Sequence, residues 1–364
     1  MSEKERGTVI SGDVYFIPAK EDESTQGLSE KTKKLFQRLN FAEHIDKDSF
    51  VALKIHFGEK GNKGYIKPLW LLDTIKAIKC RSKRVFLTDT NTLYVGSRSN
   101  AVDHTMLAHG HGFDARRLGI PVVIADGLIG RNSDELPINK QRIKSARIAS
   151  LFTDSDVLLC LSHFTGHMLT GFGAAIKNLG MGCASRTGKL DQHSDVHPRV
   201  NPEYCNLCGT CFDFCPEQAI KEKDGKAFID SQKCIGCGEC LVVCPNGAVK
   251  MTWDSDKFRI QEKMAEYAYA VSRIFGQRIA YINFLIHITE DCDCMCKGAP
   301  PFTDDIGILA SLDPVALDQA SVDMVNEQNG RDIISEKTGV DWSVQLEHGE
   351  KIGLGKRDYH LIEI

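Results

Sequence analysis

A chain of 364 residues has room for one large α/β domain plus a small one, or for two medium domains. Its 42% hydrophobic and 26% charged residues are those of an ordinary soluble globular protein, and a net charge of −4 gives neither a nucleic-acid footprint nor an anionic-membrane surface. The polar stretch from Met1 to Gly12 lacks the apolar core of a secretory signal, and no run reaches the length of a membrane span, so the expected address is the cytoplasm.

Taken in order, the first half alternates. Val14 to Ile17 and Phe50 to His56 read as short buried strands, with a polar helix from about Leu28 to Asn40 between them. Pro68 opens a helix over Leu69 to Ile78, and Val85 to Leu87, Val122 to Ala125 and Val157 to Leu161 continue the strand series. This alternation predicts an α/β fold with a mainly parallel sheet covered by helices, whose ligands bind beyond the carboxyl ends of the strands.

Three loops at those ends stand out. His56 is followed by Gly58, Glu59, Lys60, Gly61, Lys63 and Gly64, a set that exposes backbone N–H groups and lysines to anions; an ordinary solvated turn is the competing reading. The next loop carries Asp89, Asn91, Arg98, Asp103 and His104, with His109 and His111 beyond. The third runs from Ser162 through His163, Gly166, His167, Gly171 and Gly173 into a helix bearing Lys177 and Asn178. Strand, glycine-rich turn and helix start together predict an anion pocket, since the first N–H groups of a helix lack partners. His56, His163, His167 and Lys177 are the candidate catalytic residues, the histidines for proton transfer or metal binding and the lysine for holding an acid group. Cys160 reads as a buried apolar residue; Cys183 lies nearer these groups.

Of the fourteen cysteines, eight fall into one repeated pattern. Cys205, Cys208, Cys211 and Cys215-Pro216 follow C-x2-C-x2-C-x3-C-P, and Cys234, Cys237, Cys240 and Cys244-Pro245 repeat it at an offset of 29 residues. Thiolates at this spacing hold [4Fe–4S] clusters, and the fourth cysteine of each run serves the other cube. Cys205, Cys208, Cys211 and Cys244 are therefore expected on one cluster, and Cys234, Cys237, Cys240 and Cys215 on the second. A zinc ribbon would leave the C-x3-C-P tail without a purpose. The compartment is read as reducing and anaerobic.

Beyond Trp253 the α/β pattern resumes, with a helix over Met264 to Phe275 and a long apolar strand over Arg278 to Thr289. That strand delivers Glu290-Asp291-Cys292-Asp293-Cys294-Met295-Cys296. If the piece stays extended, period two puts the three thiols on one side and Asp291 and Asp293 on the other, so Cys292, Cys294 and Cys296 are a candidate third site for a cluster or metal ion; a run of reduced, partly buried thiols is the alternative. A strand at Ile306 to Leu309, a helix over Val315 to Val325 capped by Asp313-Pro314, and an edge strand over Tyr359 to Ile364 complete the chain.

Several of these stretches resemble the domain-of-unknown-function family 362, in the version with a ferredoxin insert. They are Lys54-Ile-His56-Phe-Gly58, Ser162 to His167 with Gly171 to Gly182, Asp291-Cys-Asp-Cys294, Asp304 to Ile308 and Ser311 to Ala320. The resemblance implies an iron–sulfur protein and brings no reaction with it. The expected organisation is an α/β domain over 1–197 and 253–364, interrupted over 198–252 by a small α+β ferredoxin-like domain carrying two [4Fe–4S] clusters. The expected function is electron transfer: an oxidoreductase whose clusters pass single electrons to a substrate or metal site in the α/β domain. The alternatives are a ferredoxin-type carrier or adaptor docking on a redox enzyme, and a metal or cluster delivery protein. A soluble electron donor or acceptor protein and a small acidic substrate are the expected partners.

Overall fold

The structure is a computed structural model that describes residues 12–94, 96–193, 198–215, 217–234, 239–250, 257–295 and 299–364. Cys237, Cys296 and Pro216, singled out above, lie outside the described residues.

Eight strands form the central sheet: β1 (Asp13–Pro18), β2 (Phe50–Ile55), β3 (Arg84–Asp89), β4 (Val122–Ile124), β5 (Val157–His163), β6 (Ile279–Leu285), β7 (Gly307–Ser311) and β8 (His360–Glu363). Their spatial order is β8-β1-β7-β6-β5-β2-β3-β4. The run from β6 to β4 is parallel throughout, and β1 pairs with β8 in parallel. Only β7 is reversed, running antiparallel to both β1 and β6. The fold is thus α/β with a mainly parallel sheet covered by helices.

The central strands are apolar on both sides because both sides are covered. In β5, Val157, Leu159 and Leu161 join the core on one face, while Leu158 and Cys160 join the other, as period two requires. The same alternation in β2 puts Lys54 on the Ala52 face, the face covered by the helices Ala175–Gly180 and Lys257–Phe275. Those two helices touch closely at Gly180, where a side chain would overlap the carbonyl oxygen of Met264.

Strand β6 ends at Leu285, short of the expected Thr289. The cause is His287, which adopts φ 58° while its N–H donates to Asp305 Oδ1 at 2.6 Å. The glycine-rich segment after β5 is not a plain loop: Thr165–His167 and Gly171–Gly173 pair as an antiparallel hairpin.

Residues 199–250 pair among themselves in two small ladders, Arg199–Val200 with Val249–Lys250 and Ile220–Lys223 with Lys226–Ile229. Their separate small core contains Cys205, Cys211, Ile220, Ala227, Ile229, Cys240, Ala248 and Val249. The segments before and after this module share the one sheet. Among the described residues no helix is long and apolar enough to cross a membrane.

Candidate functional site

The carboxyl ends of β2, β3 and β5 open on a cavity of about 410 Å³. His56, His163, His167, Lys177, Cys292 and Cys294, dispersed over 239 residues of sequence, all line it. Lys54, Asp89, Arg98, Lys189 and Asp293 line it too, although sequence reasoning did not select them for chemistry. Lys54 carried a usable signal, being a lysine inside an otherwise apolar strand that must find a buried partner.

That partner is Asp89 at the end of β3. Lys54 Nζ stands 2.9 Å from Asp89 Oδ1, both side chains are almost wholly buried, and Lys54 also donates to Asn178 Oδ1 at 2.7 Å. Arg98 lies 3.7 Å from the other Asp89 oxygen and 3.1 Å from Glu59. Burial raises the Asp89 pKa, but Lys54, the neighbouring histidines and Arg98 outweigh it and hold the carboxyl well below its usual range.

The three candidate histidines divide by their hydrogen bonds. His163 Nδ1 is 3.0 Å from both oxygens of Asp293, and its Nε2 is 2.8 Å from the Ile286 carbonyl. Both partners only accept, so both nitrogens donate and the ring is an imidazolium. Burial opposes that charge, but Asp293 and the two hydrogen bonds raise the His163 pKa. His163 therefore anchors Asp293, and both of its ring nitrogens are already engaged. His56 and His167 are different. The Gly58 N–H donates to His56 Nδ1 at 3.0 Å, and the Leu169 N–H donates to His167 Nδ1 at 3.3 Å. His56 Nδ1 is then an acceptor, and its neutral ring carries the proton on Nε2, whereas His167 Nδ1 also lies 2.9 Å from Thr170 Oγ1, whose own proton goes to the Phe172 carbonyl. Burial, followed by Arg98 for His56 and by Lys177 for His167, depresses both pKa values well below the ordinary imidazole range.

Lys177 lines the cavity with no hydrogen-bond or ion-pair partner among the described residues, and burial lowers its pKa to about 8. Its stem lies over Gly173, where a side chain would crowd Lys177 Cδ. Lys189, likewise lowered to about 8 by burial, is bound to Thr90 Oγ1 at 2.5 Å and the Ala184 carbonyl at 2.6 Å. Lys54, Arg98, Lys177, Lys189 and the His163 imidazolium outnumber Asp89, Asp293 and the Glu59 behind Arg98, so the walls favour an anion.

The source of that positive field differs from expectation. The first N–H groups of the helix Ala175–Gly180 are already bound, Ala175 to Asp318 Oδ1 at 2.9 Å and Ile176 to Asp318 Oδ2 at 2.8 Å. A carboxylate of the chain itself fills the predicted anion pocket. Lys60 and Lys63 of the loop after β2 are exposed and do not line the cavity, while Glu59 and Asn62 of that loop are buried. Cys160 is fully buried, as expected, and Cys183 is fully buried too, with burial pushing its thiol far up.

Cys292 and Cys294 are joined in a disulfide. The chain is not extended there but turns, with the Met295 N–H donating to the Cys292 carbonyl at 3.0 Å, so Asp293 lines the same cavity as its two neighbours. As a disulfide the pair offers no thiolate to the expected third metal site. Among the described residues, no three His, Cys, Asp or Glu side chains stand at a spacing that one metal ion would bridge.

In the cysteine module, Cys205, Cys208, Cys211 and Cys244 line one small recess. Burial raises the Cys211 thiol to about 11, with Cys244, Cys208 and Cys205 adding to the rise through their charge. The Ala219 N–H donates to Cys215 Sγ and the Ala248 N–H to Cys244 Sγ, each at 3.2 Å, at positions related by the 29-residue repeat. A third such bond joins Ala227 N–H to Cys205 Sγ at 3.4 Å. Amide donors on sulfur suit thiolate ligands. The module touches the cavity wall: Leu241 packs against Leu93 and Leu190, and Leu93 lines the cavity.

A family model described as a domain of unknown function (DUF362) matches residues 51–323. No curated protein matches the chain. The solved structures similar to this chain include two from thermophilic bacteria. One is the lactate racemase apoprotein of Thermoanaerobacterium thermosaccharolyticum, with 12% identity, a TM-score of 0.45, and 88% of this chain and 58% of that one covered. The other is a Thermotoga maritima protein, with 8% identity, a TM-score of 0.41, and coverages of 85% and 59%. The chain thus spans less than two thirds of the length of either.

Proposed function

The chain belongs to the DUF362 family, and on that premise we propose that it is an iron–sulfur oxidoreductase acting on a small acidic substrate in the cavity of its α/β domain. Cys205, Cys208, Cys211 and Cys244 would hold one [4Fe–4S] cluster, and Cys234, Cys237, Cys240 and Cys215 the second, in a ferredoxin-like insertion. Such clusters, when bound, supply single electrons. The shared recess of the first four thiols and the repeated N–H to sulfur bonds support this assignment.

The observation that carries the reading is the packing of Leu241, next to the expected ligand Cys240, against the Leu93–Leu190 pair, of which Leu93 lines the cavity. A module serving only as an outward carrier has no need to abut that cavity. Within the cavity, Lys177 and Arg98 bind and orient the acid group of the substrate. His56, neutral with Nε2–H, donates a hydrogen bond to it, and the neutral His167 lines the cavity beside it. Leu93, Leu169 and Ile260 exclude water. A carrier or adaptor role is the second reading, favoured by Tyr204, Phe214 and Phe228, which stand exposed on the module as a docking face for a redox partner protein.

Anaerobic preparation, iron and sulfide counting and EPR test the proposal. About eight irons and eight sulfides per chain are expected, both in the wild type and in a Cys292→Ser, Cys294→Ser variant. A protein reconstituted under anaerobic conditions that holds zinc or no metal would sink the iron–sulfur reading. Reoxidation of the reduced protein by small carboxylic or phosphorylated acids, weakened in Lys177→Met, separates the enzyme from the carrier.

A further inference from the structure

We propose that Cys292 and Cys294 form a reversible disulfide–dithiol couple, the two-electron redox centre of the cavity, in place of a third metal centre. The inference rests on the iron–sulfur reading above. A disulfide stabilises a fold by closing a loop in the unfolded chain, and the effect grows with loop length. With a sequence separation of 2, this one closes almost nothing. Its segment is held in place without it. The Glu59 N–H donates to the Asp293 carbonyl at 2.9 Å, Asn62 Nδ2 to the Met295 carbonyl at 3.2 Å, and the Tyr94 hydroxyl to the Cys294 carbonyl at 3.1 Å. Opening the bond therefore leaves the backbone of the segment in place, with the two sulfurs near enough to close again.

Its position fits a reaction. Both cysteines line the cavity, Cys292 buried and Cys294 partly so. Cationic groups lower thiol pKa values and stabilise a thiolate, and the His163 imidazolium, 3.0 Å from the intervening Asp293, and Lys177 share that cavity. The stoichiometry fits as well. Reduction breaks the S–S bond, and each sulfur takes one electron and one proton, the protons coming from water that enters the cavity. The reductant would be the pair of [4Fe–4S] centres that the cysteine repeat would hold, which would supply one electron each. Re-oxidation reverses this: the S–S bond re-forms as each sulfur gives one electron back to an oxidised cluster and its proton to water.

The test uses the full-length protein, prepared anaerobically with clusters and without added thiols. It is photoreduced stepwise with deazaflavin, followed by EPR, and samples are quenched in acid, alkylated under denaturing conditions and digested. Cys292 and Cys294, told apart from Cys296 by fragmenting the peptide that holds all three, are expected to carry no alkyl group at the start and one each after two electrons per chain beyond those the clusters retain. In Cys208→Ser, which removes an expected cluster ligand, alkylation at equal light dose is expected to fall severalfold. If that variant does not fold, the wild-type titration alone decides. EPR-visible reduced clusters with the peptide still disulfide-bonded would overturn this inference and leave the iron–sulfur reading standing. So would a peptide fully alkylated before any reduction. Absence of cluster iron and sulfide would overturn both.

Discussion

Lys177 shows how burial converts an ordinary surface-type side chain into a tunable one. Its charge has no partner among the described residues, and burial brings its pKa to about 8. The ammonium is therefore present below about pH 8 and lost above it, so affinity for a small anion is expected to fall as pH rises through that value. Calorimetric titration with inorganic phosphate at a series of pH values checks this. Lys177→Met is expected to bind about tenfold more weakly or worse at pH 7, from ~1.5–3 kcal/mol for a charge-assisted bond, and to show a flatter pH profile. The residual slope belongs to Lys189, which titrates in the same range but is already bound to Thr90 and Ala184. Equal affinity in wild type and variant would remove Lys177 from the site. The histidines were readable as candidates, but their roles were not. Only the partners on each ring nitrogen separate the imidazolium His163 from the neutral His56 and His167.

Among the helices, the short segment Ala175–Gly180 is fixed at both ends by other parts of the chain. Asp318 from the helix Pro314–Asn329 receives its first two N–H groups, and Asn283 Nδ2 donates to the same carboxylate at 2.8 Å. Asp318→Ala strips three buried donors of their acceptor, at a cost of roughly 1–3 kcal/mol for each group left unsatisfied. Hydrogen exchange at the Ala175 and Ile176 amides is expected to quicken by about tenfold or more; unchanged protection would show that another acceptor takes over. At the other end, Gly180 lets the helix Lys257–Phe275 approach closely. Gly180→Ala is expected to lower stability by ~1–3 kcal/mol through overpacking, measured as a lower denaturation midpoint. The local pattern marks this helix but leaves its N-terminus open to an external anion, because the residue that fills it is 143 positions away in sequence.

The cysteine module and the sheet differ in what holds them. The sheet rests on two large apolar cores, one per face, whereas the core of the module is small and partly made of the cysteines themselves. A core of that size is marginal without a staple. Iron chelation under anaerobic conditions is accordingly expected to abolish amide protection over residues 199–250 while the amides of β2, β5 and β6 stay protected. Simultaneous loss in both regions would mean that the module is integral to the sheet domain.

The spacing of the cysteines, the period-two alternation of the strands and the Asp313-Pro314 helix start are local patterns, and each could be read from the chain because its physical cause lies within a few residues. The α/β class followed from them. The order of the strands, the reversal of β7, the Lys54–Asp89 pair, the capping of Ala175 by Asp318 and the gathering of His56, Lys177 and Cys292 on one cavity depend on contacts between distant segments. No local propensity encodes which buried charge meets which. That pairing is set by packing, since a buried ion or donor is tolerated only where the folded chain brings its counterpart within reach.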